Sequence, residues 1–390
     1  MHFVLVTHNL VKGNGQGRVN FELVKYCLSQ DIQITVVAQQ VDPELIDAGV
    51  RWYPGRSPKN RIGLVDVRRF ARMADAAVSS LRSTADLIIA NGYAITVEHD
   101  VNICHFVHGA WMKSPFHISR IRRGPYAWYQ WLFTQLNSRW ENSSYRAARK
   151  VIAVSSKVRG QLMQSGIPAR KIQTIINGVS LEEFYPGIEK REPLGLPSDV
   201  PLALFVGDIR TPRKNLDTVL AAMSRLPSAH LAVVGDLKNS RYPAMASGLG
   251  LANRVHFLGF RRDVSRIMRA CDVFVFPSRY EACSLVLLEA LASGLPVVTT
   301  EAAGGSEIIT PACGHILKDP NDSEGLARAV AKSMNGSSAL ARKAARVIAE
   351  EHSWSRMAKD YLRMFESIVA SSAPIPCKPL PVCDVGYSPV

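Results

Sequence analysis

Two glutamates separated by seven residues, Glu281 and Glu289, stand in the segment CDVFVFPSRYEACSLVLLEALASGLPVVTT, residues 271–300. The run VFVF reads as a buried strand ending at Pro277. A helix is predicted from about Ser284, with Leu285, Leu288 and Leu291 on its apolar face and Gly294 at its end. A helix that starts beyond the carboxyl end of a parallel strand presents unpaired N–H groups and a positive dipole end, which together make an anion site. Glu281, in the loop before the helix, is placed to accept hydrogen bonds from hydroxyls. Glu289, more than a turn inside, would meet another part of the same ligand.

Such a site needs parallel sheets behind it, and the chain supplies two series of candidate elements. HFVLVTH, QITVVAQQ, DLIIANG, VNICHFVHG and KVIAVSS read as strands in the first half, with GRVNFELVKYCLSQ and RRFARMADAAVSSLRS as helices. PLALFVGD, LAVVGD, VHFLGF, VFVFPS and PVVTT follow, alternating with NLDTVLAAMSRL, VSRIMRACD and SLVLLEALASG. Continuous apolar strands between amphipathic helices predict an α/β protein with two Rossmann-like domains. The Pro-, Gly- and charge-rich stretch 182–201 marks the boundary. We place the domains at 1–185 and 186–370, with a helix around Ser355–Val369 able to pack on either. The proline-rich remainder, 371–390, reads as a disordered tail.

Composition narrows the class. Of 390 residues, 47% are apolar and 21% charged, which excludes general disorder and a small disulfide-stapled scaffold. Seven cysteines without CxxC or Cys/His spacing support neither a zinc site nor a disulfide framework. No apolar run approaches a membrane span, and the start of the chain reads as a strand rather than a leader. A cytoplasmic protein is expected, with peripheral membrane association open. The net charge of +14 is uneven: residues 1–180 carry 23 basic and 11 acidic side chains, a surplus of 12, and the rest carry 24 and 22. The first half therefore points to an acidic partner.

The glutamate pair followed by ALASGLPVV resembles the E-x7-E signature of retaining glycosyltransferases of family 4. RKIQTIINGVSLEEFYP, with Asn177, Gly178 and Val179, is similar to another segment of that family. FVGDIRTPRKNLDTVLAA resembles its basic phosphate loop, VHFLGFRRDVSRIMRACDVFVFPS the run into the signature, and GNGQGRVNFELV its N-terminal glycine loop. The resemblance covers roughly 2–370 and implies the GT-B fold, two Rossmann-like domains facing across a cleft.

It also implies roles. Glu281 would contact hydroxyls of the donor sugar and Glu289 the ribose of a nucleoside-diphosphate sugar. Backbone amides of Cys283, Ser284 and Leu285, with the loops at Gly15, Gly17 and Gly207, would face the diphosphate or sugar. Lys214, with Arg213 or Arg210, would stabilise the departing diphosphate. His108, taken as the end of the strand VNICHFVHG, matches the histidine near the reacting sugar, with His105 the second choice. No Asp-x-Asp pair suggests a metal, so metal-independent front-side displacement is expected, with no cofactor beyond the donor substrate. Two departures stand out: Asp208 follows Gly207 where many relatives have arginine, and Ala282-Cys283-Ser284 replaces the usual Gly-Phe-Gly. A GT-B sugar-nucleotide epimerase and a non-catalytic sugar-nucleotide or membrane-binding protein are the rival readings.

Residues 111–150 carry eight Lys/Arg, one Glu and four Trp. Lys113, Arg120, Arg122 and Arg123, with Trp128 and Trp131 on a helix-like stretch, suit an anionic glycan or lipid-linked acceptor or a membrane surface. A core helix with solvated bases fits equally. Nucleic acid is not expected, because no recognised binding motif appears.

Overall fold

The computed structural model describes residues 1–13, 15–55, 63–335 and 339–372. The strands His2–Val6, Gln33–Ala38, Leu87–Asn91, His99–Cys104 and Ala148–Ala153 form a parallel sheet whose strands are largely buried. Arg51–Pro54 and Ile172–Thr174 complete its seven strands at the two edges. In the second sheet, of six parallel strands, Leu202–Val206 stands inside, flanked by His230–Val234 and then Val255–Gly259 on one side. Val273–Phe276, Val297–Thr300 and Gly314–Leu317 follow on the other. Both sheets therefore reverse their strand order beside the first strand, and such a reversal opens a crevice at the carboxyl ends of the strands.

The edge strands Arg51–Pro54 and Gly314–Leu317, like the short Ile172–Thr174, were not anticipated from the sequence. The first is exposed throughout and the second carries no fully buried residue, so neither shows the apolar run of a central strand. The long helix Trp354–Ser372, placed with the second domain as far as residue 370 and running two residues into the expected tail, packs on the first domain. Met357, Tyr361, Phe365 and Ile368 enter that domain's core, and Phe365 meets Phe3 edge-on at 5.7 Å. The crossing back is pinned by main-chain bonds from Val179 to His352 and from Trp354 to Val179. A Cβ on Gly178 would lie 2.6 Å from the Trp354 ring, so this crossing requires glycine there. The predicted tail, 371–390, lies outside the described residues beyond Ser372.

Candidate active site

The second crevice gathers the expected charges. Val273–Phe276 runs into a tight loop through Ser278, and Glu281 projects beside the short turn Pro212–Lys214 that follows Leu202–Val206. Lys214 Nζ lies 2.6 Å and Arg213 2.8 Å from the same Glu281 oxygen. Burial lowers the Lys214 pKa, an effect opposed by the Glu281 carboxylate, and its ammonium rests over the Phe276 ring at 5.1 Å. Two cations face one carboxylate, which leaves positive charge for an incoming anion. Gly207 lies against this group, where an added Cβ would stand 3.4 Å from Lys214 Cγ.

Arg210 does not join the cluster. It is bound by Asp208 at 3.0 Å and approached by Asp236 at 3.6 Å, on the exposed side of the loop. The aspartate that departs from the family pattern thus holds the arginine away from Glu281.

The helix Leu285–Ala292 begins at Ser284 without a capping side chain. The Ser284 amide donates to the Gly304 carbonyl at 2.9 Å, so it does not face a ligand as expected. Gly304 permits this pairing: a Cβ there would stand 1.8 Å from the Ala282 carbonyl oxygen. The close approach that glycines would have allowed on the Ala282-Cys283-Ser284 side is made possible on the facing segment. Burial pushes the Cys283 thiol up to about 12, which disfavours its thiolate.

Three cavities line the cleft in sequence. The first, about 440 Å³, is bounded by Gly15, Arg18, Glu183, Phe260, Arg262, Leu285, Glu289 and Trp354. Burial, with Glu183 nearby, raises the Glu289 carboxyl to about 7. The second, about 280 Å³, shares Gly15 and Leu285 with the first and adds Asn177, Arg213, Glu281 and Cys283. The third, about 210 Å³, shares Gln16, His105 and Phe106 with the second and reaches His108. Gly15 is the first residue of the helix Gly15–Ser29 and borders two cavities, whereas Gly17 is buried in the first turn and borders none of the three.

His108 does not end a strand. That strand stops at Cys104, and His108 opens the helix His108–Lys113. Its Nδ1 lies 2.6 Å from one oxygen of Glu141, whose other oxygen accepts from the His108 amide at 2.7 Å. The buried Glu141 thus fixes the ring and leaves Nε2 for the cavity. Glu141 was missed from the sequence, although it is the single acid in an otherwise basic stretch. Four contacts between the domains likewise left no sign in the sequence. Ser155 Oγ donates to the Ala282 carbonyl at 2.6 Å, and Ser156 N to Glu307 at 2.7 Å. Lys157, lowered to about 8 by burial against the pull of Glu281 and Glu307, donates to the Ala302 carbonyl. Tyr280, next to Glu281, inserts between Phe106 and Trp111 and donates its hydroxyl to the Val107 carbonyl at 3.1 Å.

Lys113, Arg120, Arg122, Arg123, Trp128 and Trp131 are all exposed and lie outside these cavities. Trp128 and Trp131 project from the helix Pro125–Ala147 at 64% and 44% exposure, whereas Trp111 and Trp140 pack inward on Tyr280 and Tyr93. Among the described residues no helix is long and apolar enough to cross a membrane.

Fold and site together define a two-domain α/β protein whose cleft holds two cations paired with one carboxylate. A family model described as Glycosyltransferase Family 4 matches residues 13–183, and one described as Glycosyl transferases group 1 matches 200–335. The chain belongs to this glycosyltransferase family and has the GT-B fold. It is 36% identical over 186 residues to the lipopolysaccharide glucosyltransferase WaaG of Escherichia coli K12, covering 46% of this chain and 48% of that one. It is 34% identical over 141 residues to the lipopolysaccharide core biosynthesis glycosyltransferase LpsE of Rhizobium meliloti, covering 36% and 41%. The matched stretches thus span about half or less of these relatives. The crystal structure of Anabaena Alr3699/HepE with UDP-glucose superposes with a TM-score of 0.70 at 21% identity, covering 94% of this chain and 100% of that one.

Proposed function

We propose that the chain is a retaining glycosyltransferase moving a sugar from a nucleoside-diphosphate sugar to a hydroxyl of a glycan or lipid-linked acceptor in envelope polysaccharide assembly. The observation that carries this reading is the Glu281–Lys214–Arg213 cluster, set between the Glu289 cavity and His108. The named activities of WaaG and LpsE support the acceptor class, and the UDP-glucose bound by HepE makes a UDP-sugar the first donor to test. The nucleotide would lie in the Glu289 cavity and the diphosphate at Arg213 and Lys214. His108, held by Glu141, would hydrogen-bond a hydroxyl of the transferring sugar.

In the reaction the acceptor oxygen bonds to the anomeric carbon on the face from which the diphosphate leaves. The carbon–oxygen bond to phosphate breaks, and the acceptor proton passes to the leaving phosphate. Arg213, Lys214 and the Leu285 helix end would supply the charge stabilisation without a metal. Closure across Ser155, Lys157 and Tyr280 would exclude water. Release of UDP from UDP-glucose is expected to collapse in Glu281→Ala and in Lys214→Ala while both remain folded, and to persist in EDTA. Near-normal turnover in both variants removes the site assignment. The alternative of donor binding without transfer draws on the Ser284 amide being already paired. It predicts a thermal shift with UDP-glucose and no UDP release.

The exposed Trp128 and Trp131, with Tyr126, Ile121 and the bases Lys113, Arg120, Arg122 and Arg123, support docking of the first domain on an anionic membrane surface. Flotation with anionic vesicles should be lost in a Trp128→Ser/Trp131→Ser variant; equal flotation with neutral vesicles would count against the idea.

A further inference from the structure

The third cavity lies where the first sheet reverses its strand order, past the carboxyl ends of His2–Val6 and Leu87–Asn91. Its wall carries polar groups without protein partners. Asn91, the last residue of its strand, is 3% exposed, and neither its amide nitrogen nor its amide oxygen is paired among the described residues. The buried Nε2 of His105 is likewise unpaired. Orphaned donors and acceptors facing a cavity are the usual mark of a place that a ligand or water completes. The aromatic rings of Tyr93, Phe106 and Phe133 form the apolar part, and Tyr93 is held by stacking on Trp140 at 5.2 Å.

The electrostatics are equally specific. Among the described residues no lysine or arginine lines this cavity. Its ionisable lining is His8, His105, His108, Glu141, Tyr93 and Tyr145. Burial lowers the pKa of His8, and lowers that of His105 to about 4, so both are neutral at physiological pH. One guanidinium stands a layer out: Arg68 rests on Trp140 at 5.6 Å, behind Tyr93. A wall with a carboxylate and no lysine or arginine offers a phosphate no fixed countercharge, whereas an amide presenting a donor and an acceptor side by side matches two neighbouring hydroxyls.

We propose that this cavity is the subsite for the acceptor ring bearing the attacking hydroxyl, that the ring is an uncharged polyol, and that Asn91 reads two of its adjacent hydroxyls. This rests on the transferase reading above and deepens it. Any phosphate on the acceptor lies farther out, toward Arg68 or the Lys113–Arg123 segment.

The test uses the full chain with UDP-glucose as donor and two acceptor panels, neutral methyl hexosides and heptosides against the matching sugar phosphates. The expected result is at least tenfold higher kcat/KM for a neutral acceptor. In Asn91→Ala the acceptor KM should rise at least tenfold and the donor KM less than threefold. Preference for sugar phosphates, or a donor KM that rises in place of the acceptor KM, overturns the proposal. Should Asn91→Ala not fold, Tyr93→Leu carries the same expectation from a part-exposed position. If no UDP is released with any acceptor, the transferase reading fails separately. Saturation-transfer NMR then decides the subsite: binding of methyl glycosides but not sugar phosphates, weakened by the same variant, upholds it, and the reverse removes it.

Discussion

The two halves of the chain exchange their electrostatic character at the cleft. Residues 1–180 hold a surplus of 12 positive charges, yet no lysine or arginine among the described residues lines the cavity beside His108. Residues 181–390 hold a surplus of 2, yet place Lys214 and Arg213 within hydrogen-bond distance of Glu281. In the first domain Lys113, Arg120, Arg122 and Arg123 face outward before Trp128 and Trp131, while Arg18 borders the first cavity and Lys157 is half-buried at the domain contact. In the second, many cations are cancelled by neighbouring acids, as Arg210 is by Asp208, Arg279 by Asp217 and Arg266 by Glu189. The charge of a whole domain therefore reports on its outer surface, and the chemistry of the cleft depends on a few placed groups.

The contrast can be broken at its charged end first. Lys214→Ala should lower kcat for UDP release by about 10²–10³-fold, the usual cost of removing one preorganised charge-stabilising donor. A fall in donor affinity alone would mean that Lys214 serves binding rather than the barrier. Next in size, Glu141→Gln should lower kcat by about tenfold or more, because a charged hydrogen bond contributes about 1.5–3 kcal/mol. As a positioning group it should also alter the pH profile of kcat, which a purely structural role would not.

A smaller effect reads the environment of Glu289. Its folded pKa of about 7 lies above the ordinary 4.5, so the folded state binds more protons in that window. Its contribution to stability is therefore lost as the pH rises from about 4.5 to about 7 and changes little above. The melting temperature of Glu289→Gln relative to the parent should rise across that interval; an unchanged difference would place the carboxyl in water. Smallest is Tyr280→Phe, which removes the hydroxyl shared between the Val107 carbonyl and Gln161 across the domains and should cost about 0.5–1.5 kcal/mol, seen as a few-fold change in KM.

Much of the fold was legible because central parallel strands are buried on both faces and are therefore rich in apolar residues. Edge strands carry no such demand, which is why Arg51–Pro54 and Gly314–Leu317 left no signal. In the site, Glu281, Glu289, Lys214 and Arg213 could be found because they lie in two local segments with distinctive spacing. His108 borders the third cavity, but the element carrying it was misread, since the apolar run continues past Cys104 into the helix. Arg210 looked equivalent to Arg213 in sequence, and only the positions of Asp208 and Asp236 separate them. Glu141, Asn91 and Lys157 lie far from any local pattern.

The sequence by itself determined the parallel sheets, the glycine-terminated helix after Glu281 and the uneven charge, because these follow from burial periodicity, turn chemistry and counting. Tertiary structure decided which charges are free, where the last helix packs and which polar groups remain unpaired. Each of these depends on distances between residues far apart in the chain: 33 positions for His108 and Glu141, 68 for Arg213 and Glu281, 127 for Ser155 and Ala282. Electrostatic and hydrogen-bond energies fall off within a few ångströms, so no local pattern in the chain encodes them.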